Sequence, residues 1–257
     1  MSLPDKNKIA RTFSAAAHSY DAAASLQRQV GHRLLDYLQI HYPQALAGQT
    51  IADIGAGSGY FSRHLAQQGA QVLALDLAEG MLQYIAQQGQ THCILADAEH
   101  LPLADHTVHG CFSSLAVQWC DLARTLHEMW RVTQTNGWLA VATLSDGSLW
   151  QLKHAWQAVD HAVHVNRFLT LEQIRHACQF LPQAQLHSET LTQTFPDLLS
   201  LLRDLKQVGA SYVDGRPHGL MGKRRWQQFV QAYQQLRLPN GDWGLDYQVV
   251  YIVAQKT

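Results

Sequence analysis

Apolar positions at the start of the chain recur every three or four residues, a spacing typical of amphipathic helices. Residues 5–20 place Ile9, Phe13 and Tyr20 on one face, and residues 25–40 repeat the pattern. Two helices are therefore predicted before the first strand of the chain.

From residue 50 onward, short apolar runs alternate with segments of helical periodicity. Strands alternating with helices predict βαβ units, and hence a mostly parallel, doubly wound α/β sheet with right-handed crossovers. The predicted strands are residues 50–54, 71–75, 92–95, 108–114 and 138–143, and the predicted helices between them are residues 60–68, 79–88 and 121–135.

After residue 144 this alternation stops. The following segments are predicted as mainly helical residues 145–180, a strand at 186–192, helices at 197–207 and 223–236, a turn-rich loop at 209–222 and a last strand at 247–254. A single domain follows from this order. We divide it into an N-terminal helical cap (1–44), a core (45–144), a helical insertion (145–240) and a last strand (245–255).

Composition narrows the classes of function. The 257 residues have a formal net charge of −1, which argues against a general nucleic-acid binder because such proteins carry a basic surplus. No apolar run approaches the roughly 18 residues needed to span a bilayer, and residues 1–13 lack the apolar stretch of a signal peptide. We expect a cytoplasmic protein with neither a membrane nor a nucleic-acid partner.

The cysteines and histidines predict no metal site. The four cysteines form no C-x-x-C pair, and the histidines form neither H-x-x-x-H nor H-E-x-x-H. Cys93 and Cys111 lie in strand-like apolar runs, so we interpret them as core thiols.

The sharpest local motif is I-A-D-I-G-A-G-S-G at residues 51–59, where glycines follow a strand and open a helix. Glycine permits a tight turn and a close approach of a ligand to backbone N–H groups. Position 60 is Tyr, so the motif is not the G-x-G-x-x-G fingerprint of dinucleotide folds. A G-x-G-x-G loop preceded by Asp53 suits a ligand without a pyrophosphate, and the alternative is an ordinary βα turn.

Two carboxylates support a nucleoside ligand. Asp76 ends the second predicted strand and Asp97 ends the third. Carboxyl ends of parallel strands form the edge where open α/β sheets bind ligands, and an acidic residue there can accept ribose hydroxyls. Each Asp alone is more often a helix cap or turn residue, but the two together after the glycine loop favour nucleoside binding.

Over roughly residues 45–145 this arrangement resembles the class I S-adenosylmethionine-dependent methyltransferases, which implies a Rossmann-like sheet of seven strands and S-adenosyl-L-methionine as the cofactor. In that family the glycine loop faces the methionine part, the first Asp holds the ribose, the second holds the adenine amino group, and an apolar residue such as Met81 covers the adenine. Met81 alternatively serves as a core methionine. The cofactor contacts implied are Phe13, Asp53, Gly55, Ala56, Gly57, Asp76, Leu77, Met81, Asp97, Ala98, Glu99 and Ser114.

A closer resemblance involves residues 11–28, 113–120 and 205–225, which are similar to the malonyl-[acyl-carrier protein] O-methyltransferases of biotin synthesis. It implies methyl esterification of the free carboxylate of a malonyl thioester that an acidic acyl carrier protein bears. Two alternatives remain open. One is methylation of another small acid, and the other is a cofactor-binding assembly factor without turnover.

Carboxyl methylation needs no strong base, because a carboxylate is ionised at neutral pH and positioning supplies much of the acceleration. We expect Tyr20 and Phe13 to close the methyl-transfer site. The alternative is that both are ordinary core aromatics. Gln118 and Trp119 follow the fourth strand, where the acceptor lies in this fold. An arginine is expected to pair with the malonyl carboxylate, and the candidates are Arg11, Arg28, Arg167 and Arg203.

A basic segment lies between residues 203 and 225. Its six basic residues outnumber two acidic ones, Asp204 and Asp214. Such a patch would steer an acidic partner, although a solvated helix face is the alternative. The predicted carrier-protein docking residues are Arg203, Lys206, Lys223, Arg224 and Arg225, and Arg216 lies between them.

Overall fold

The computed structural model describes residues 5–43, 46–89, 92–207 and 222–257. Two helices, α1 (Lys6–Ala23) and α2 (Ser25–His41), precede the sheet as predicted. The carboxylate of Asp5 caps α1 by accepting hydrogen bonds from the first free backbone N–H groups of the helix.

The alternation expected from the apolar runs is present. In chain order the core contains β1 (Thr50–Ile54), α3 (Tyr60–Gln67), β2 (Gln71–Asp76), α4 (Glu79–Gln87), β3 (His92–Leu95), β4 (Val108–Ser114), a 3₁₀ turn (Val117–Trp119), α5 (Leu122–Val132) and β5 (Thr133–Leu144). The remaining elements are α6 (Trp150–Gln157), α7 (Leu171–Ala177), β6 (Gln185–Phe195), α8 (Leu198–Gln207), α9 (Lys223–Gln234) and β7 (Trp243–Gln255).

The seven strands form one sheet in the order β3-β2-β1-β4-β5-β7-β6. Strands β1 to β5 pair in parallel, and β7 runs antiparallel between β5 and β6. The fold class is confirmed. Because β1, β2, β3 and β4 are parallel, their carboxyl ends meet at one edge, with the glycine loop on the first of them.

Several element boundaries differ from the sequence prediction, and β7 begins four residues before its predicted start at 247. The helix predicted to reach residue 135 ends at Val132, and β5 starts at Thr133, whose hydroxyl donates to the carbonyl of Met129. Strand β6 lies inside the predicted insertion 145–240, as the sequence indicated, but it is longer than the predicted residues 186–192 and separates two helical segments. As an edge strand with few fully buried positions, β6 carries mostly polar residues, so its apolar alternation is weak.

Helices cover both faces of the sheet. One core face includes residues of α2, α3, α6, α8 and α9, and the other includes residues of α5 and α7. Cys111 is buried as predicted, whereas Cys93 is only partly buried. Among the described residues, no helix has both the length and the apolar character needed to cross a membrane.

Helix α1 lies against α4 rather than in either main core. Ala17 packs against Ala78 and Met81, and the backbone N–H of Gly80 donates to the Ser14 hydroxyl at 3.1 Å. A Cβ on Gly80 would lie 2.9 Å from the Ser14 carbonyl oxygen. This close contact holds α1 across the carboxyl ends of the strands.

Candidate functional site

A cavity of about 90 Å³ lies between α1 and the carboxyl ends of β1 to β4, and we call it the nucleoside cavity. It is the place where the doubly wound fold binds ligands. The predicted residues that line it are Phe13, Tyr20, Gly55, Gly57, Asp76, Leu77, Met81, Asp97, Ala98, Ser114 and Trp119.

The glycine loop has a backbone that requires glycine. Gly55, Gly57 and Gly59 have φ values of +71°, +54° and +75°, in the left-handed region that strains other residues. A Cβ on Gly55 would also lie 2.2 Å from the Ala116 side chain. The loop therefore turns sharply from β1 into α3 and leaves its backbone open toward the cavity.

Asp76 ties β2 to the glycine loop. Its Oδ2 accepts a hydrogen bond from the Gly57 N–H at 2.8 Å, and its Oδ1 accepts one from the Ala78 N–H at 2.7 Å. Burial raises the pKa of Asp76, and these N–H groups oppose that rise. Asp76 thus has the turn role that the sequence offered as an alternative. Its carboxylate still has lone pairs available for a ligand in the cavity.

Asp97 has a partner that the sequence did not suggest. Lys6 Nζ lies 2.6 Å from Asp97 Oδ2 and 2.8 Å from Glu99 Oε1. Burial alone would raise the pKa of Asp97, but its bonds with Lys6 and with the Glu99 N–H hold it below its ordinary value. Glu99 is buried and does not line the cavity. It instead anchors the Asp121 N–H, so its contact with the cofactor remains a prediction.

A smaller cavity of about 40 Å³ adjoins the glycine loop on its other side, and we call it the methionine-end cavity. Gln27, Arg28, Asp53, Ala56 and Ser114 contribute to its lining. Gln27 Oε1 and the Ser114 hydroxyl are buried there without a hydrogen-bond partner among the described residues. Buried polar atoms are rarely left unpaired, so a polar ligand in this cavity would complete the hydrogen bonding of both.

Asp53 is the most perturbed carboxyl of this cavity. It is 2% exposed, and burial raises its pKa to about 7. Repulsion from Asp76 adds to the rise, while a 2.5 Å hydrogen bond from the Ser62 hydroxyl opposes it. A cationic group bound nearby would favour the ionised form.

A third cavity of about 400 Å³ opens beyond α1, and we call it the acceptor cavity. It shares Phe13, Tyr20, Leu115 and Trp119 with the nucleoside cavity. The ring centroids of Phe13 lie 6.5 Å from Tyr20 and 5.8 Å from Trp119, so the predicted aromatics form the wall between the two spaces. The remaining walls are mainly apolar side chains of α6, α8 and the strand ends.

Gln118 lies in this acceptor cavity. Its Nε2 donates to the Leu115 carbonyl at 2.6 Å, which fixes the orientation of the amide. Its Oε1 is buried and has no partner among the described residues. The structure thus brings Tyr20, Gln118 and Trp119 together at one junction.

The four candidate arginines occupy different places. Arg28 lines the methionine-end cavity and donates to the Asp21 carbonyl, whereas Arg167 lines a neighbouring cleft beside Gln118 and Trp119. Arg11 and Arg203 are exposed and line none of these spaces.

The basic docking residues divide between two helices. Arg203 and Lys206 lie on α8, and Lys206 lines the acceptor cavity. Lys223, Arg224 and Arg225 open α9 on the surface, and Arg225 forms an ion pair with Asp160. Arg216 and Asp214 lie outside the described residues. Within the described residues, no group of three His, Cys, Asp or Glu side chains is arranged to hold a metal ion.

This chain is similar to known methyltransferases in sequence and in fold. A family model described as a methyltransferase domain matches residues 52–141. The malonyl-[acyl-carrier protein] O-methyltransferase of Yersinia pestis is 44% identical over 255 residues, covering 98% of this chain and 92% of that protein. The enzyme of the same name from Serratia marcescens is also 44% identical, covering 98% and 96%.

Among solved structures, a putative methyltransferase from Bacillus halodurans is 18% identical, with a TM-score of 0.59, covering 88% of this chain and 99% of that one. This likeness concerns the fold, and the two relatives extend the match over nearly the whole sequence.

Proposed function

We propose that this chain, which belongs to the family of malonyl-[acyl-carrier protein] O-methyltransferases, methylates the free carboxylate of a malonyl group on an acyl carrier protein. S-adenosyl-L-methionine is its methyl donor, as in the methyltransferase family at large. The observation that carries the proposal is the junction at Phe13, Tyr20 and Trp119, where a nucleoside cavity meets a separate acceptor cavity.

The residues around the glycine loop suit this cofactor. Asp76 would accept the ribose hydroxyls, Asp97 the adenine amino group, and Met81 would cover the adenine. At the other end, Asp53 suits the ammonium and Arg28 the carboxylate of the methionine part, with Gln27 Oε1 and the Ser114 hydroxyl as further partners. The two orphaned polar atoms in the methionine-end cavity support this placement, because an amino-acid headgroup would satisfy both.

When bound, the cofactor would supply an electrophilic methyl group. The methyl would form a bond to a carboxylate oxygen as its bond to sulfur broke, and the sulfur would keep the electron pair. No proton is transferred in this step. The chain therefore has to orient two reactants and exclude water rather than supply a base. Phe13, Tyr20 and Trp119 place aromatic faces at the junction, where they favour a sulfonium, and α1 covers it.

The carrier protein would approach the surface near the mouth of the acceptor cavity. Arg203, Lys223 and Arg224 are exposed, and within the described ranges none of them has an acidic partner within 4.0 Å. Unpaired cations of this kind attract an acidic partner over several ångströms and raise its association rate. An acidic carrier protein is thus the partner that this surface suits.

Methyl transfer to three acceptors tests the proposal. The protein is incubated with methyl-labelled S-adenosylmethionine and malonyl-carrier protein, malonyl-CoA or free malonate, and kcat/KM is measured for each. We expect the carrier-linked acceptor to be the best of the three. A preference for a free acid would indicate a small-acid methyltransferase, and cofactor binding without transfer to any acceptor would indicate an assembly factor.

A further inference from the structure

His164 has an unusual environment on the far wall of the acceptor cavity. Its side chain is only 6% exposed, and its ring stacks on Trp156 with centroids 3.8 Å apart and planes 8° from parallel. Its Nε2 lies 2.8 Å from Asp160 Oδ1. Packing on one side and a hydrogen bond at one nitrogen therefore fix the ring.

The other ring nitrogen is unsatisfied. His164 Nδ1 is buried and has no hydrogen-bond partner in the described part of the chain, and His164 lines the acceptor cavity. A buried imidazole nitrogen without a partner costs free energy unless a ligand completes it. This nitrogen therefore belongs to a side chain in the wall of the space where the acceptor is expected, and a ligand there would complete its hydrogen bonding.

From this arrangement we infer that His164 binds the carboxylate of the acceptor as an imidazolium, and this inference rests on the proposed function. Asp160 accepts from Nε2, so a second proton on the ring sits at Nδ1, which then donates into the cavity. The face of Trp156 also suits a cationic partner. Asp160 acts as a positioning residue.

The charges around Asp160 are consistent with this role. Its Oδ1 faces His164, its Oδ2 forms an ion pair with Arg225, and the Ala162 N–H also donates to Oδ1. Three donors on one carboxylate keep it ionised and fixed in position. The same ion pair joins the start of α9, where the docking residues lie, to the wall of the acceptor cavity.

None of the four arginines considered from sequence fills this role in the acceptor cavity, because none of them lines it. Among the described residues, the basic side chains that line this cavity are those of Lys206, which is exposed, and His164, which is only 6% exposed. A buried donor discriminates a carboxylate from a methyl ester better than an exposed one, since water does not replace the lost partner. His164 therefore suits recognition of the free acid.

Two substitutions separate the roles of the ring nitrogens. In His164→Gln the amide nitrogen reaches toward the place of Nε2 and leaves Nδ1 without a replacement, whereas in His164→Asn it reaches toward the place of Nδ1. The exposed His161, three residues earlier, gives the matched control His161→Gln. Thermal unfolding and S-adenosylhomocysteine binding of each variant check that the fold and the cofactor site are intact.

The decisive readout is the binding of malonyl-carrier protein and acetyl-carrier protein to protein loaded with S-adenosylhomocysteine. We expect His164→Gln to weaken malonyl binding about 10- to 100-fold, the usual loss for a hydrogen bond to a charged group. Acetyl binding should be unchanged, and His164→Asn should restore part of the malonyl affinity.

An equal loss for both carrier proteins, or no loss for either, would overturn the inference. The readout involves no turnover. Absence of methyl transfer by the unmodified chain would therefore contradict the proposed function separately from the role of His164.

Discussion

Replacing Asp76 tests whether the carboxylate at the end of β2 holds the ribose of the cofactor. Asp76 accepts hydrogen bonds from the N–H groups of Gly57 and Ala78, and it lines the nucleoside cavity. An amide in Asp76→Asn keeps one acceptor oxygen but turns an N–H₂ group toward the other donor. Asp76→Ala removes both oxygens.

The expected magnitudes follow from the hydrogen bonds lost. A hydroxyl hydrogen bond to a carboxylate contributes about 1.5 kcal/mol at the lower end of the range for charged groups. Loss of one bond in Asp76→Asn predicts a Kd about tenfold higher, and loss of two in Asp76→Ala predicts a Kd about 100-fold higher.

Calorimetric titration with S-adenosylhomocysteine measures these values without turnover. Asp36→Asn, on the exposed side of α2, is the matched control and should leave the Kd unchanged. If Asp76→Ala bound the ligand within about twofold of the unmodified chain while its melting temperature was retained, the ribose assignment would be refuted.

Three further predictions concern pH, α1 and the docking surface. The pKa of Asp53, raised to about 7 by burial, means that the folded protein holds a proton the unfolded chain releases near pH 4, so stability falls as pH rises toward 7. Without cofactor, the free energy of unfolding measured in urea should fall on the order of 2 kcal/mol between about pH 5 and pH 7, and Asp53→Asn should flatten this dependence. Equal pH dependence in the two proteins would contradict the raised pKa of Asp53. Gly80→Ala should push α1 away from α4, weaken S-adenosylhomocysteine binding several-fold and lower the free energy of unfolding by about 1–3 kcal/mol. The control Gly222→Ala should change neither quantity, because open space surrounds Gly222. Unchanged ligand binding in Gly80→Ala would show that α1 does not cover the site. Lys223→Glu and Arg224→Glu should lower kcat/KM for malonyl-carrier protein at low salt and leave kcat/KM for malonyl-CoA unchanged. The control Arg175→Glu on α7 should change neither value. Equal effects on both acceptors would contradict the docking assignment.

The central strands of the sheet were predictable because most of their residues are buried on both faces. Apolar runs such as residues 50–54 and 108–114 have the bounds that the structure gives to β1 and β4. Strand β6 was underestimated in length because it lies at the edge, where one side of the ladder faces solvent and polar residues are tolerated.

The candidate site was predictable where a local motif marks a backbone need. Gly55, Gly57 and Asp76 belong to one turn-and-strand unit, and the structure places them together. Lys6, Gln27 and His164 were missed because each reaches the site from a distant element, and no spacing in sequence marks such a contact. The only signal for Lys6 was its place one helical turn before Ile9 and two turns before Phe13, on the face that α1 presents to the cavity.

Methyl transfer to a carboxylate that a carrier protein bears changes the mass of that carrier, so the carrier mass after reaction tests the proposed function. The protein is incubated with S-adenosylmethionine and malonyl-carrier protein, and the carrier is analysed by mass spectrometry before and after mild base. We predict that the carrier gains the mass of one methylene group, and that mild base then hydrolyses the methyl ester, releasing methanol and returning the carrier to its original mass. An unchanged carrier mass, with S-adenosylhomocysteine binding intact, would contradict methylation of the carrier-bound malonyl carboxylate.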